Sequence, residues 1–275
     1  MRYPPQARTS PTSSATGRGL YPKLDLSLSY PPRLPRGGAP VYSSVWDVVA
    51  DGTPVLAYDT NIEGLRTVAG GVLTNISPYL GGGVDDEMVE FDGPGPAFTA
   101  SDPLCGGLST CARVAGVGYL RSLTPASATM ALQPYTIVCI GVPPGTNSTP
   151  WIFTAVSTAG QIANVKREST ATYFMAAITN ANTAISCSGA QGAVGRFTFT
   201  GAASDASVRR ADGTNATSGA ISPGTNSWRG FTLFRHPTTG STGNAKLMAW
   251  SMWEDFSAAD WTAVKGWCQT NMVWL

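Results

Sequence analysis

From residue 41 onward the chain never runs far without a turn former. Short stretches rich in Val, Ile, Thr, Phe, Tyr and Trp alternate with Gly, Asn, Pro and Ser. This punctuation fits an antiparallel sandwich or jelly roll rather than βαβ units. The stretches that read as strands are 45–49 (VWDVV), 54–58 (PVLAY), 87–91 (EMVEF), 135–142 (YTIVCIGV) and 151–156 (WIFTAV). They continue with 172–177 (TYFMAA), 194–199 (VGRFTF), 206–210 (ASVRR), 230–234 (GFTLF) and 246–253 (KLMAWSMW). Asp212-Gly213 and Gly240 are turn signals between them. In 135–142 both faces are apolar, which predicts a central strand. In 194–199 the Val194, Arg196, Thr198 face is wetter than the face of Gly195, Phe197 and Phe199.

One helix is expected, over 258–270. Ser257 precedes Ala-Ala-Asp260, a capping box with Asp in the place of Glu or Gln. Trp261, Val264 and Cys268 fall on one face with Trp267 beside them. A lone amphipathic helix is unstable in water, so this one should pack on the sheets.

Composition narrows function. Of 275 residues, 43% are apolar, enough for a core, and 13% are charged, about half the ~25% usual in soluble domains. A net charge of +1 argues against a protein that coats nucleic acid. The single histidine, His236, excludes a His-rich metal site and a two-histidine acid–base mechanism. There is no apolar run long enough for a membrane helix and no apolar core of a secretory signal near the N-terminus. The five cysteines are too widely spaced for a disulfide framework and read as buried thiols. Cys105 and Cys111 flank a Gly-rich loop, CGGLSTC, where a bridge and a pair of zinc ligands are the alternatives; zinc lacks a second pair nearby. GGG at 81–83 lacks the Lys-Ser/Thr of a phosphate loop, and no G-x-S-x-G occurs.

Residues 1–40 differ from the rest. They hold eight prolines, six cations and one acid, a net +5, which leaves −4 on residues 41–275. Proline blocks helix interiors and central strands, so the segment should be extended, polyproline-like or disordered. Within it LYPKLDLSLSY alternates apolar and polar residues and reads as a short docking strand. A floppy tail and a tethering arm on a neighbouring subunit are the alternatives. The arm reading rests on Arg2, Tyr3, Arg8, Arg18, Tyr21, Leu24, Leu26 and Leu28.

Four motifs in order carry a family likeness. They are EFDGPG (90–95), QPYTIVCIGVPP (133–144), ASVRRADGTNATSG (206–219), and SWRGFTLFRHPTTG with NAKLMAWSMWEDFSAADWTAVKGWCQ (227–269). Over residues 87–270 the chain resembles concanavalin A-like (laminin-G-like) lectin and glucanase domains. It departs from their pattern in the Trp250 to Trp253 stretch and in Pro-Gly after the FDG turn. The resemblance implies an all-β, antiparallel two-sheet jelly roll, a fold found in lectins, glycan-cleaving enzymes and bacteriophage structural proteins. With the Pro-rich basic arm, the chain looks most like the last group. That implies a decoration, fibre or tail-associated virion protein, self-associating and bound to capsid or tail subunits, with no nucleic-acid or membrane partner. The alternative is a carbohydrate-binding adhesion module on host-surface glycans, and a third is a glycan hydrolase.

Hydrolysis needs two facing carboxylates. Asp85, Asp86, Glu87, Glu90 and Asp92 form the densest acidic cluster, and strand alternation would put Glu90 and Asp92 on one face. The E-x-D-x-(x)-E pattern of the glucanases is absent and Pro94 ends the strand, so no catalytic residue is expected. Asp85 and Asp86 are candidates for a calcium site, the one cofactor the residues suggest. Tyr119, Arg121, Trp228, Arg229 and Arg235 are candidates for sugar binding, since aromatic faces stack on sugar rings and arginine forks reach hydroxyls or carboxylates. Trp151 and Tyr173 sit in core-like strands and read as packing.

Overall fold

The computed structural model describes residues 43–81, 86–112, 119–122, 135–142, 151–157, 162–169, 172–178, 182–188, 194–199, 204–210, 213–219, 228–234 and 246–272. The proposed arm, Asp85, Arg235 and His236 lie outside them.

The described chain is all-β with a single C-terminal helix. Its first strands are β1 (Thr53–Asp59), β2 (Arg66–Ala69), β3 (Val72–Ile76), β4 (Leu80–Gly81), β5 (Met88–Phe91), β6 (Ala97–Asp102), β7 (Leu108–Ala112), β8 (Tyr119–Ser122) and β9 (Tyr135–Val142). There follow β10 (Trp151–Ser157), β11 (Ile162–Ser169), β12 (Thr172–Ile178), β13 (Asn182–Ser188), β14 (Val194–Phe199), β15 (Ser204–Arg210), β16 (Gly213–Gly219), β17 (Trp228–Leu233) and β18 (Lys246–Asp255), then helix α1 (Ala258–Asn271).

Every ladder is antiparallel, and the pairings resolve into two layers. One runs β4-β1-β18-β9-β14-β15-β16. The other runs β3-β5-β8-β17-β10-β11-β12-β13. The ladders β3–β6, β6–β7 and β7–β18 join the layers at one side. At the other side β13 comes close to β15 and β16.

The first layer is covered on both faces, which explains why β9 and β18 are apolar throughout. Leu56, Tyr58, Ile137, Phe197, Trp250 and Met252 are fully buried on one face, where Tyr58 stacks on Trp250 at 5.3 Å. The Tyr58 hydroxyl donates to the Asp86 carbonyl at 2.5 Å, just before β5 of the second layer. On the opposite face Ala57, Val138, Ile140, Val194, Ala249 and Trp253 form a core with Trp261, Val264 and Cys268 of α1. Burying each large apolar side chain of the helix contributes about 2–3 kcal/mol. The wetter face of β14 lies on this side, where the Arg196 guanidinium sits 5.7 Å from the Trp261 ring.

The capping box forms as the sequence predicts. The Ser257 hydroxyl accepts from the Asp260 N–H at 3.0 Å, and the Asp260 carboxylate accepts from the Ser257 N–H at 3.0 Å. The same carboxylate accepts from the N–H groups of Ala50 and Asp51, which fixes the helix start to the turn before β1.

The segment 45–49 is a correction. Val45–Val48 is a 3-10 helix, not a strand. The Ser44 hydroxyl accepts from the Trp46 N–H and donates to buried Asp59, and the Trp46 indole donates to the Tyr58 carbonyl. Those bonds hold the apolar pair Val45 and Trp46 inward without any ladder.

Candidate functional site

The part of the second layer around β8 holds the exposed aromatic chemistry. In β5 and β8 the register pairs Phe91 with Tyr119, Glu90 with Leu120, Val89 with Arg121 and Met88 with Ser122. Alternation then separates two faces. Met88, Leu120 and Ser122 are buried toward the first layer. Phe91, Tyr119 and Arg121 alternate onto the opposite face.

There Phe91 is 43% exposed, unusual for so large an apolar side chain. The Tyr119 ring meets it edge-on at 5.5 Å and 63°. The Arg121 guanidinium lies over its ring at 4.8 Å. Tyr119 is 5% exposed, so it forms the floor, while Phe91 and exposed Arg121 form the rim. β17 lies alongside, with Thr232 opposite Arg121 and Leu233 opposite Leu120.

The backbone around Tyr119 is also unusual. Among the described residues only Asp92 (φ 61°) and Phe234 (φ 67°) have positive φ without being glycine. Asp92 follows Phe91, and Phe234 follows Leu233, so both flank Tyr119 in the register. An aspartate tolerates this region, but a bulky phenylalanine there is a true outlier. Such strain tends to collect where a ligand is clamped.

Four of the five sugar-binding candidates lie in described strands. Tyr119 and Arg121 are brought together on β8. Trp228 and Arg229 open β17, the adjacent strand. Phe91 was missed by the sequence reading because EMVEF reads as a strand whose aromatic end is destined for the core. The signal that could have found it is the FDG turn, which takes the chain left-handed at Asp92 and Gly93 directly after Phe91.

The same turn corrects the carboxylate pair. β5 ends at Phe91, so alternation does not extend to Asp92, and Glu90 lies on the alternation of Met88, away from Phe91. Of the calcium candidates, Asp85 lies outside the described residues. Asp86 is buried beneath the Tyr58 hydroxyl, and among the described residues no group of three or more His, Cys, Asp or Glu is placed to hold a metal.

The cysteines are buried free thiols at Cys105, Cys111, Cys139 and Cys268, so Cys105 and Cys111 are not bridged. Burial pushes the Cys105 thiol up to about 12, with Asp102 adding to the rise and Lys246 opposing it. Burial pushes Cys111, Cys139 and Cys268 up as well. Among these four cysteines no thiolate is on offer as nucleophile or metal ligand.

A second polar cluster is structural. Asp59 accepts from Ser44, Val45 and Asn61; Ser109 and Thr60 exchange hydrogen bonds across β7 and the end of β1; and Arg66 donates to the Thr60 carbonyl while lying 4.7 Å from the Phe98 ring. Each of these groups is used in joining strands.

No protein-family model and no curated protein matches the chain. Among solved structures it is similar to the CBM40 of Ruminococcus gnavus IT-sialidase bound to alpha2,3 sialyllactose, at 10% identity and a TM-score of 0.39 over 49% of this chain and 83% of that one. It is also similar to Trypanosoma rangeli sialidase (11% identity, TM-score 0.43, 82% of this chain and 38% of that one). A third similarity is to the CBM2 module of Lactobacillus casei BL23 phage J-1 evolved Dit (12% identity, TM-score 0.35, 75% and 98%). All three stand below a TM-score of 0.5.

Proposed function

We propose that this chain is a non-enzymatic carbohydrate-binding module, with the rim of Phe91 and Arg121 above Tyr119 as the contact surface. The observation that carries the reading is the exposed Phe91 ring, held between an edge-on tyrosine and an arginine. A fixed aromatic ring offers a flat apolar platform, and a guanidinium beside it offers a fork of donors. Both are held by neighbours before any ligand arrives, which reduces the entropy lost on binding. The reading as a non-enzyme is supported by the parting of Glu90 from Asp92 at the end of β5.

The test is a glycan array followed by titration calorimetry on the best ligand. Phe91→Ala should leave the melting temperature nearly unchanged and weaken binding about tenfold or more, as loss of an aromatic anchor does. Equal binding by the variant, or no glycan retained by the wild type, would remove the support.

A virion setting is the companion proposal. It is favoured by one feature of the sequence, a +5 arm of forty residues attached to a body of −4. In that setting the arm tethers the module to capsid or tail subunits and the sandwich projects a glycan-reading face toward the host.

A further inference from the structure

Helix α1 divides the face of the first layer that is turned away from the second. It packs against the 3-10 helix Val45–Val48 and against β14. Along the layer, β18 and β9 separate β1, which follows the 3-10 helix, from β14. Charge is divided in the same way. On the β14 side, Arg196 and Lys265 lie 5.7 Å and 5.3 Å from the Trp261 ring. On the 3-10 helix side stand three exposed carboxylates, Asp47, Asp51 and Asp255. Asp47 belongs to the 3-10 helix and accepts from the Tyr79 hydroxyl at 2.6 Å. Asp51 is held by its N–H, which donates to Asp260 at the start of α1. Asp255 ends β18 opposite Thr53. Among the described residues none of the three forms an ion pair.

These carboxylates border an apolar surface. Val48, Val49, Tyr79, Phe256 and Trp267 are half-buried and pack on the core beneath. Phe256 meets Trp253 at 5.5 Å. Trp267 comes seven residues after Asp260, about two turns along the same stripe of the helix. It therefore lies on the side where Asp260 bonds Ala50 and Asp51.

Aromatic side chains take prolines from an extended segment, and carboxylates beside them take its cations. A segment of that kind is written in this chain. Residues 30–36, YPPRLPR, hold three prolines, two arginines and no acid, and they lie outside the described residues. Polyproline II has three residues per turn, so in that form Pro32 and Pro35 share one edge and Arg33 and Arg36 the next. From this we infer that residues 30–36 of a second copy dock on this surface, the prolines on its aromatic side chains and the arginines at its carboxylates. The inference rests on the tether reading above and adds the segment and the surface. Charge favours it as well, since residues 1–40 carry +5 and residues 41–275 carry −4.

The experiment is sedimentation equilibrium on the full chain. Arg33→Glu with Arg36→Glu reverses the segment. Asp51→Lys with Asp255→Lys reverses the surface and leaves the Asp47–Tyr79 bond in place. Each double variant alone should associate about tenfold more weakly than the wild type, or worse, because like charges then meet. The Asp51 and Asp255 side chains are exposed, so the melting temperature of that variant should stay near the wild type's. Mixed together, the two variants should recover association to within about threefold of the wild type, since one supplies the native surface and the other the native segment. Arg2→Glu with Arg8→Glu, the same change of charge elsewhere, should alter association by less than about twofold, because charges without a fixed partner are screened. Wild-type association in both of the first two variants overturns the inference and leaves the tether reading standing with another docking place. A mixture that does not recover also overturns it, because the contact then is not made between copies. A loss of equal size from Arg2→Glu with Arg8→Glu overturns it in favour of diffuse attraction. A wild-type chain that is monomeric at every concentration overturns this inference together with tethering between copies.

Discussion

Asp260 is a buried carboxylate surrounded by donors. Burial pushes its pKa up, but the hydrogen bonds from the Ser257 N–H and hydroxyl and from the N–H groups of Asp51 and Ala50 outweigh that, and the net shift is downward. A carboxyl depressed in the folded state adds stability that is fully present above the unfolded pKa and is lost as pH falls through the folded one. Stability should therefore decline with acid below about pH 4, where a free carboxylate titrates. Asp260→Asn should flatten that decline in denaturant melts at stepped pH; an unchanged slope would contradict the assignment. Asp260→Ala should cost about 2 kcal/mol at neutral pH, since it removes a helix cap and leaves partly buried N–H donors without a partner. The cysteines make a second prediction at this scale. With Cys105, Cys111, Cys139 and Cys268 buried and protonated, at least four of the five thiols should resist Ellman's reagent in the native state, and all five should react in guanidinium. Fast native reaction of more than one thiol would contradict the packing.

Among the elements, β9 and β18 hold the molecule together, and their contact depends on a glycine. At Gly141 a Cβ would stand 2.1 Å from the Lys246 carbonyl oxygen, so the two strands approach more closely than any side chain permits. Gly141→Ala should cost about 3 kcal/mol through displacement of the ladder, read as a shift of the denaturant midpoint with the slope unchanged. Wild-type stability in that variant would contradict it. The legibility of elements followed their burial. β9, β18 and α1 were plain in the sequence because apolar residues fill whole strands or one helical face. β2, β4, β6, β7 and β8 were not, because short strands with Thr, Ser and Gly carry no period of their own; their partners define them. β16 (GTNATSG) has no large side chain and is a strand through its pairing with β15, down to Arg210 opposite Gly213. Val45–Val48 failed in the other direction: β-branched residues were recruited into a capped 3-10 turn because Asp59 and Tyr58 offered bonds from a distance.

The whole chain joins the sandwich to a basic, Pro-rich segment over residues 1–40, and its assembly is the property to measure at this scale. Sedimentation of the full chain and of a form lacking residues 1–40, with limited proteolysis alongside, separates the roles. The truncated form should remain folded and keep its glycan affinity, because every core residue named here lies at or beyond Val45. Self-association should appear only in the full chain if the arm tethers. Two identical monomers with a freely cleaved arm would leave the module without its proposed anchor to other copies.

Composition and local pattern alone determined the antiparallel β architecture, the capped C-terminal helix, the central place of 135–142 and the burial of Cys105, Cys111, Cys139 and Cys268. Each follows from a period or a cap that acts within a few residues. Tyr119 and Arg121 were likewise legible as candidates by residue type. Their union with Phe91 was decided by the tertiary structure. Phe91 and Tyr119 are 28 residues apart in sequence and meet only through the β5–β8 register. A left-handed turn at Asp92 ends the strand there, parts Glu90 from Asp92, and leaves the Phe91 ring in solvent.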